Sequence, residues 1–156
     1  MSAPLRLRLF IDNRAGRKGV PIRRSFEQWV RAALKGQRSG TIEINIALLD
    51  ELAARAINRQ YRSKDYATNV LSFPYEPLPA EKTALLGDLA LCPAVIAREA
   101  KLQRKRLRDH YAHLTVHGVL HLLGRDHQSA RDAAKMEAIE RRVLAGFGIR
   151  DPYELP

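Results

Sequence analysis

The fold is decided by the stretch Leu114-Thr115-Val116-His117-Gly118-Val119-Leu120-His121-Leu122-Leu123-Gly124-Arg125-Asp126-His127. Its apolar residues cover most of a helical circumference, and such a helix is buried in the middle of its domain. His117 and His121 are four residues apart, so a helix presents both imidazoles on one face. Gly124 can adopt a positive φ and turn the chain, which can bring His127 to the same point. The stretch therefore predicts a central helix that presents histidines to one site.

Three neutral imidazoles with one open coordination position are typical of a catalytic zinc site. The alternative is that these histidines only pack in the core or lie at the surface. We therefore predict one metal ion, Zn²⁺, bound by His117, His121 and His127, although imidazoles also accept other divalent transition metals. His113 lies one turn earlier on the same row, and we expect it to pack behind the ligands and support them. His110 is predicted to lie on the surface.

The same spacing is the skeleton of the metzincin protease signature, His-Glu-x-x-His-x-x-Gly-x-x-His. Gly118 stands where those proteases carry the glutamate that serves as general base. Asp126 could act as a base or orient a histidine ring, or it could simply cap the turn or the next helix. The spacing alone thus indicates a zinc site without the protease glutamate.

The rest of the chain predicts one α+β domain over residues 1–156. Hydropathy patterns indicate strands at 5–11, 41–48, 70–73 and 85–91, and helices at 21–35, 50–60, 93–102, 107–123 and 131–144. This order favours a roughly four-stranded mixed sheet packed against about five helices, with the histidine helix at the centre. Trp29 is expected in the core.

Composition restricts the class of protein. Hydrophobic residues make up 46% and charged residues 28%, which are globular values. No apolar run approaches the ~20 residues that span a bilayer, and the first residues lack a signal-peptide core. Cys92 is the only cysteine, and it lies in a segment that indicates inert burial. We expect a cytoplasmic protein without a membrane partner.

The net charge of +10 is unevenly distributed. Residues 1–40 hold 10 basic against 2 acidic residues and residues 98–142 hold 11 against 6, whereas residues 41–97 hold 5 against 7. Such a surface attracts phosphate backbones without sequence specificity. A basic surface that is merely solvated is the alternative, so charge alone does not identify RNA.

A second polar cluster occupies residues 58–74 and leads directly into an apolar strand. Arg62 and Lys64 could bind phosphate oxygens there, and arginine can do so with two parallel hydrogen bonds. Tyr61 and Tyr66 could stack on bases. The alternative is an exposed loop whose charges have no specific role.

These motifs together resemble the bacterial YbeY family, an rRNA maturation factor and metal-dependent endoribonuclease. The histidine stretch resembles the family run His-Gly-x-Leu-His-Leu-x-Gly-Tyr-Asp-His. Residues 58–74 resemble a second signature, Tyr-Arg-x-Lys-Asp followed by Thr-Asp/Asn-Val-Leu-Ser-Phe-Pro. A third is the strand entry at Gly87-Asp88-Leu89.

The resemblance implies a zinc site built from His117, His121 and His127, with Arg62 and His117 as catalytic residues. It also implies a single-stranded RNA substrate, processing of the 16S rRNA 3′ end, ribosome quality control, and partnership with the small ribosomal subunit and its factors. Arg125 replaces the usual tyrosine, and its added charge could bind RNA beside Arg62 and Lys64. Two rival functions are a zinc hydrolase acting on peptides or small molecules, and a non-catalytic ribosome assembly factor with a structural metal.

Overall fold

A computed structural model describes residues 3–76, 83–125 and 128–154. The elements in chain order are β1 (Arg6–Asn13), α1 (Arg23–Leu34), β2 (Thr41–Leu48), α2 (Glu51–Arg62), β3 (Val70–Pro74), β4 (Thr83–Leu91), α3 (Pro93–Leu102), α4 (Leu107–Leu122) and α5 (Ala130–Ala145). The strands form one sheet in the order β1-β2-β4-β3. β1, β2 and β4 are parallel, and β3 pairs with β4 in the antiparallel sense. The predicted α+β fold with a mixed sheet is confirmed.

Strand β2 shows how the sequence gives the sheet two different faces. Its apolar residues alternate with polar or small ones, and every second residue is buried: Ile42, Ile44, Ile46 and Leu48. Because successive side chains of a strand point to opposite faces, these four side chains lie on one face. They belong to a core that also contains Phe26 and Trp29 of α1. The side chains between them lie on the opposite face and are only half-buried.

Helix α4 lies at the centre of the domain. It contacts α1, α3, α5, β3 and β4, and Val116, Val119 and Leu120 are completely buried. The apolar side chains around α4, which predict a central helix, therefore pack against neighbouring elements on several sides. A helix packed in this way holds its histidines rigidly.

Gly118 is a point of close approach between α4 and the sheet. A Cβ atom there would lie 2.8 Å from Leu89 Cδ2 and 3.4 Å from Ser72 Oγ. The Ser72 hydroxyl also donates a hydrogen bond to the Gly118 carbonyl at 3.2 Å. Residue 118 therefore faces the sheet, and a glutamate side chain has no room in this arrangement.

Replacing Gly118 with valine should lower the free energy of unfolding by about 1–3 kcal/mol, because the added side chain overpacks the contact with Leu89. Urea-induced unfolding measures the change. The matched control is Ala134→Val, which places the same side chain at an exposed position of α5 and should cost less than about 1 kcal/mol. Equal stability of Gly118→Val and the wild type would contradict the close approach.

Several element boundaries differ from the sequence prediction by one or two residues, and two of them have a clear cause. Helix α2 ends at Arg62 rather than near residue 60, because Ser63 adopts a left-handed conformation (φ 57°) and its amide bonds to carbonyls of the last turn. Arg62 is therefore the last helical residue and not a loop residue. Strand β1 continues to Asn13 because its pairing with β2 extends to Leu48. Asp50 caps α2, since its carboxylate accepts from the Ala53 amide.

A small second core lies on the other side of the sheet. It contains Leu49, Ala54, Cys92 and Val95, with Ile57 of α2 packed against it. Cys92 is fully buried, and burial raises the pKa of its thiol. The predicted packing role of this cysteine is therefore confirmed. Among the described helices, none combines the length and the apolar character needed to cross a membrane.

Candidate metal site

His117 and His121 point their Nε2 atoms at each other from successive turns of α4. The two nitrogens are 3.1 Å apart, and the ring centroids are separated by 4.7 Å. Two ligands of one tetrahedral zinc ion, with Zn–N bonds of 2.0–2.1 Å, lie about 3.3 Å from each other. The separation of the two imidazole nitrogens is therefore close to that of two ligands on one ion.

The helix ends directly after this pair. Gly124 adopts the positive φ that the sequence predicts, 87°. Its amide bonds to the His121 carbonyl, and the next amide, that of Arg125, bonds to the Leu120 carbonyl. The bend after the second histidine is thus confirmed. Asp126 and His127, the predicted base and third ligand, lie outside the described residues.

Glu140 of α5 lies behind His117. Its Oε1 is 2.5 Å from Nδ1 of His117, and the carboxylate side chain is completely buried. A carboxylate can only accept in this contact, so Nδ1 carries a proton, and in the neutral imidazole Nε2 is then the nitrogen with the lone pair. A carboxylate in this position orients an imidazole ligand and raises its basicity. Glu140 therefore prepares the His117 nitrogen that faces His121.

The second oxygen of Glu140 is also occupied. The Tyr153 hydroxyl donates to Oε2 at 2.5 Å. His113 completes the group, with Nε2 at 3.3 Å from the Tyr153 oxygen and at 3.7 Å from Glu140 Oε1. Burial raises the pKa of Glu140, but the hydrogen bonds from His113, His117 and Tyr153 outweigh burial and lower the pKa to about 2. The carboxylate is therefore charged at neutral pH.

His113, His117 and Glu140 form a second group that could hold a metal ion, with donor atoms within 4.8 Å of one another. The 2.5 Å contact between Glu140 and His117 is a hydrogen bond and leaves no room for an ion between the two atoms. Burial lowers the pKa of His113, which keeps that ring neutral. The short contact with Glu140 therefore favours an ion on the opposite side of His117, where His121 lies.

Glu140 and Tyr153 are not among the site residues predicted from the sequence. Glu140 is 23 residues from His117, and no motif marks it. One signal was available: Met136, Glu140 and Leu144 are the buried residues of α5 and follow one another at steps of four. An acid in the middle of an apolar helical row is costly unless it is paired, so it indicates a buried partner.

The predicted RNA-binding cations lie at three different places. Arg62 is exposed at the end of α2, and Lys64 is exposed in the segment that follows. Within the described residues, neither side chain makes a hydrogen bond or an ion pair. Arg125 follows the bend at Gly124 and is half-buried, with its guanidinium 3.4 Å from Gln37 Oε1.

The prediction that His110 lies on the surface is wrong. This side chain is only 3% exposed, because its position on α4 faces α3. Its Nε2 lies 2.9 Å from Glu99 Oε1, which also accepts from the Asn69 amide. Burial raises the pKa of Glu99, but the hydrogen bonds from His110 and Asn69 lower it by a larger amount. The pKa of Glu99 is therefore below its usual value. Asn69, part of the polar cluster, thus joins β3 to two helices.

Comparison with known proteins adds to this geometry. The family model described as Endoribonuclease YbeY matches residues 10–148. A protein named Endoribonuclease YbeY from Stenotrophomonas maltophilia is 53% identical over 154 residues, which cover 96% of this chain and 95% of that protein. One of the same name from Alkalilimnicola ehrlichii is 50% identical over 144 residues, covering 90% and 87%.

A solved structure agrees with the fold. The solution structure of a Thermotoga maritima protein superposes with a TM-score of 0.59 at 21% identity, covering 96% of this chain and 99% of the other. At that identity the likeness concerns the fold alone. The match to the family model and the identity to its named relatives span nearly the whole chain. This chain belongs to the Endoribonuclease YbeY family.

Proposed function

We propose that this protein is a metal-dependent endoribonuclease that cleaves single-stranded RNA, with ribosomal RNA precursors as substrate and the 16S rRNA 3′ end as the processed region. The observation that carries the proposal is the convergence of His117 and His121 in front of the buried Glu140 carboxylate. Membership of the family and the net charge of +10 support an RNA substrate. The proposed partners are the small ribosomal subunit and its factors, and the proposed location is the cytoplasm.

The ligands of the ion in this proposal are His117, His121 and His127. The first two fit because their nitrogens are separated like two ligands of one ion and because Glu140 fixes the tautomer of His117. The third lies outside the described residues. We propose one Zn²⁺ ion, in a site that imidazole chemistry leaves open to nickel, cobalt or iron. When bound, such an ion supplies Lewis-acid activation of a phosphoryl oxygen or of the attacking water.

The chain's own residues have distinct roles in the proposed reaction. The oxygen of water attacks phosphorus, the bond to the leaving oxygen breaks, and negative charge builds up on the phosphoryl oxygens. Arg62 stabilises that charge, because its exposed guanidinium can bind two oxygens at once. Lys64 and Arg125 hold neighbouring phosphates. Asp126 or a group of the substrate takes the proton, and His113 supports His117 through Glu140.

A peptide hydrolase would need a general base at the glutamate position of the protease signature. Gly118 occupies that position, and the packing of Leu89 and Ser72 against it leaves no room for a glutamate side chain. The proposed function is tested by offering the purified protein a single-stranded RNA, the same RNA in a duplex, and casein. We expect cleavage of the single strand only. Cleavage of casein, or of no substrate with one ion bound, would favour the peptide hydrolase or the structural-metal alternative.

Glu140→Gln should weaken zinc binding about 10- to 100-fold while the fold is retained, because an amide no longer holds His117 as a charged acceptor. Competition with a chromophoric zinc chelator measures the affinity. The matched control is Glu137→Gln, one turn earlier on α5, where the side chain is partly exposed. Equal affinities of Glu140→Gln and the wild type would show that Glu140 does not support a ligand.

A further inference from the structure

Four side chains form one row across the face of the sheet that α4 does not cover. In the strand register, Phe10 of β1 is opposite Asn45 of β2, Asn45 is opposite Asp88 of β4, and Asp88 is opposite Phe73 of β3. Leu89 contacts α4 at Gly118, so the neighbouring Asp88 points to the other face. The row therefore places an amide and a carboxylate between two aromatic rings.

The polar centre of the row is held in place. Asn45 Nδ2 donates to Asp88 Oδ1 at 2.9 Å, and the Tyr75 hydroxyl donates to Asp88 Oδ2 at 2.5 Å. Each oxygen of the Asp88 carboxylate has a further lone pair. No described residue donates to Oδ1, the side-chain oxygen of Asn45. The centre consequently offers mainly hydrogen-bond acceptors to a ligand.

The row borders a cavity of about 650 Å³ between this face of the sheet and Ile57 of α2. That volume is in the range of small-ligand sites. Phe10 is 54% exposed in the middle of its strand, which is unusual for a large apolar side chain. Phe73 is held edge-on by Tyr61, with ring centroids 5.3 Å apart.

The part of the chain that lines one side of this cavity is rich in basic residues. The first 25 residues contain seven arginines and lysines, at positions 6, 8, 14, 17, 18, 23 and 24, against one acid, Asp12. Arg14 and Arg23 line the cavity itself together with Asp12 and Asp88, and Arg14 is ion-paired with Asp12 at 2.8 Å. Arg23 is anchored by hydrogen bonds to the Leu9 carbonyl and to Glu27. A polyanion would therefore be attracted by the surplus of basic residues in this segment, and not by the lining of the cavity, in which two arginines and two aspartates balance.

We propose that Phe10, Asn45, Asp88 and Phe73 bind one unpaired base of a single-stranded RNA, on the sheet face opposite the histidine pair. Aromatic side chains on a sheet stack on bases irrespective of sequence. The acceptors between them select bases that carry an amino group, which are adenine, guanine and cytosine, over uracil, which has none. This inference rests on the proposed single-stranded RNA substrate, and it adds a base-binding site on the α2 side of the sheet, where Tyr61, the neighbour of Arg62, packs on Phe73.

The test uses fluorescently labelled hexanucleotides of adenosine or uridine with 2′-O-methyl riboses, which keep their bases and resist cleavage. Fluorescence anisotropy with the full chain measures the dissociation constants. Phe10→Ala should weaken binding of the adenosine hexamer about ten-fold, since one stacked base is lost. Asn45→Ala should reduce the preference for adenosine over uridine. Phe147→Ala, which removes another exposed phenylalanine, is the control and should bind like the wild type.

Unchanged binding by Phe10→Ala, no preference for adenosine in the wild type, or no binding by the wild type would each overturn this inference. Phe10 is largely exposed, so the alanine variant is expected to fold, and its melting temperature checks this. A protein that binds through Phe10 and cleaves no RNA would refute the proposed function alone. A protein that cleaves RNA and binds it without Phe10 would refute this inference alone.

Discussion

Replacing His117 with alanine is expected to remove metal binding and to reduce RNA cleavage by at least about a thousand-fold. The variant loses the Nε2 atom that lies 3.1 Å from Nε2 of His121, so one of the converging nitrogens is gone. The several kcal/mol that a divalent ion contributes to stabilising charge in the transition state disappear with it. Metal per chain, measured by mass spectrometry, and the rate of cleavage are determined on the same preparation.

His113→Ala is the matched control for this prediction. His113 lies one turn earlier on α4 and is near Glu140, but the proposed ion is on the other side of His117. We expect His113→Ala to keep most of its metal and a measurable cleavage rate. Loss of the metal in His113→Ala and its retention in His117→Ala would contradict the proposed ligands. Loss in both variants would instead favour the group of His113, His117 and Glu140.

Replacing Arg62 with alanine is expected to reduce RNA cleavage about 100- to 1000-fold, with fold and metal content unchanged. The guanidinium is exposed at the end of α2 and is engaged by no hydrogen bond within the described chain, so its removal leaves the packing intact. The loss follows from missing stabilisation of charge on the phosphoryl oxygens. Single-turnover cleavage of a single-stranded RNA measures it.

Two further variants sharpen the result for Arg62. Arg59→Ala removes the same charge from an exposed position in the same turn of α2, and it should lower the rate only slightly. Arg62→Lys keeps the charge but not the two-pronged donor, so an intermediate rate is expected. If Arg62→Ala and Arg59→Ala cleave equally fast, Arg62 has no special role in the reaction.

The elements that could be predicted from the sequence are those whose signal is local and periodic. The alternation in β2 and the apolar circumference of α4 correspond to real burial patterns. The boundary at Arg62 could not be predicted because it depends on a left-handed serine, which has no strong propensity for that conformation. His110 was assigned to the surface because its partner, Glu99, belongs to another helix.

Only the part of the candidate site that lies on α4 and at the bend after it could be predicted from the sequence. His117, His121 and Gly124 lie within eight residues, so helical geometry alone relates them. Glu140 and Tyr153 reach His117 and His113 through the packing of α5 and the segment after it. Such contacts depend on tertiary structure. The only sign of these contacts in the sequence is an acidic residue among apolar ones.

The structure also gives a different interpretation of Gly118. In the sequence it stands for a missing protease glutamate. In the structure it is the contact between α4 and the sheet, with 2.8 Å between a hypothetical Cβ and Leu89. Because a side chain at residue 118 would collide with Leu89, substituting glutamate there would disturb the packing of α4 on the sheet.

The central claim is that RNA cleavage requires one ion held in front of His117 and His121. The most direct measurement is the cleavage rate of a single-stranded RNA as zinc is titrated into metal-depleted wild-type protein. We expect the rate to rise from background and to reach a plateau at about one ion per chain, the number that a single ligand set can hold. Undiminished cleavage by the metal-depleted protein, or no cleavage at full occupancy, would contradict the account.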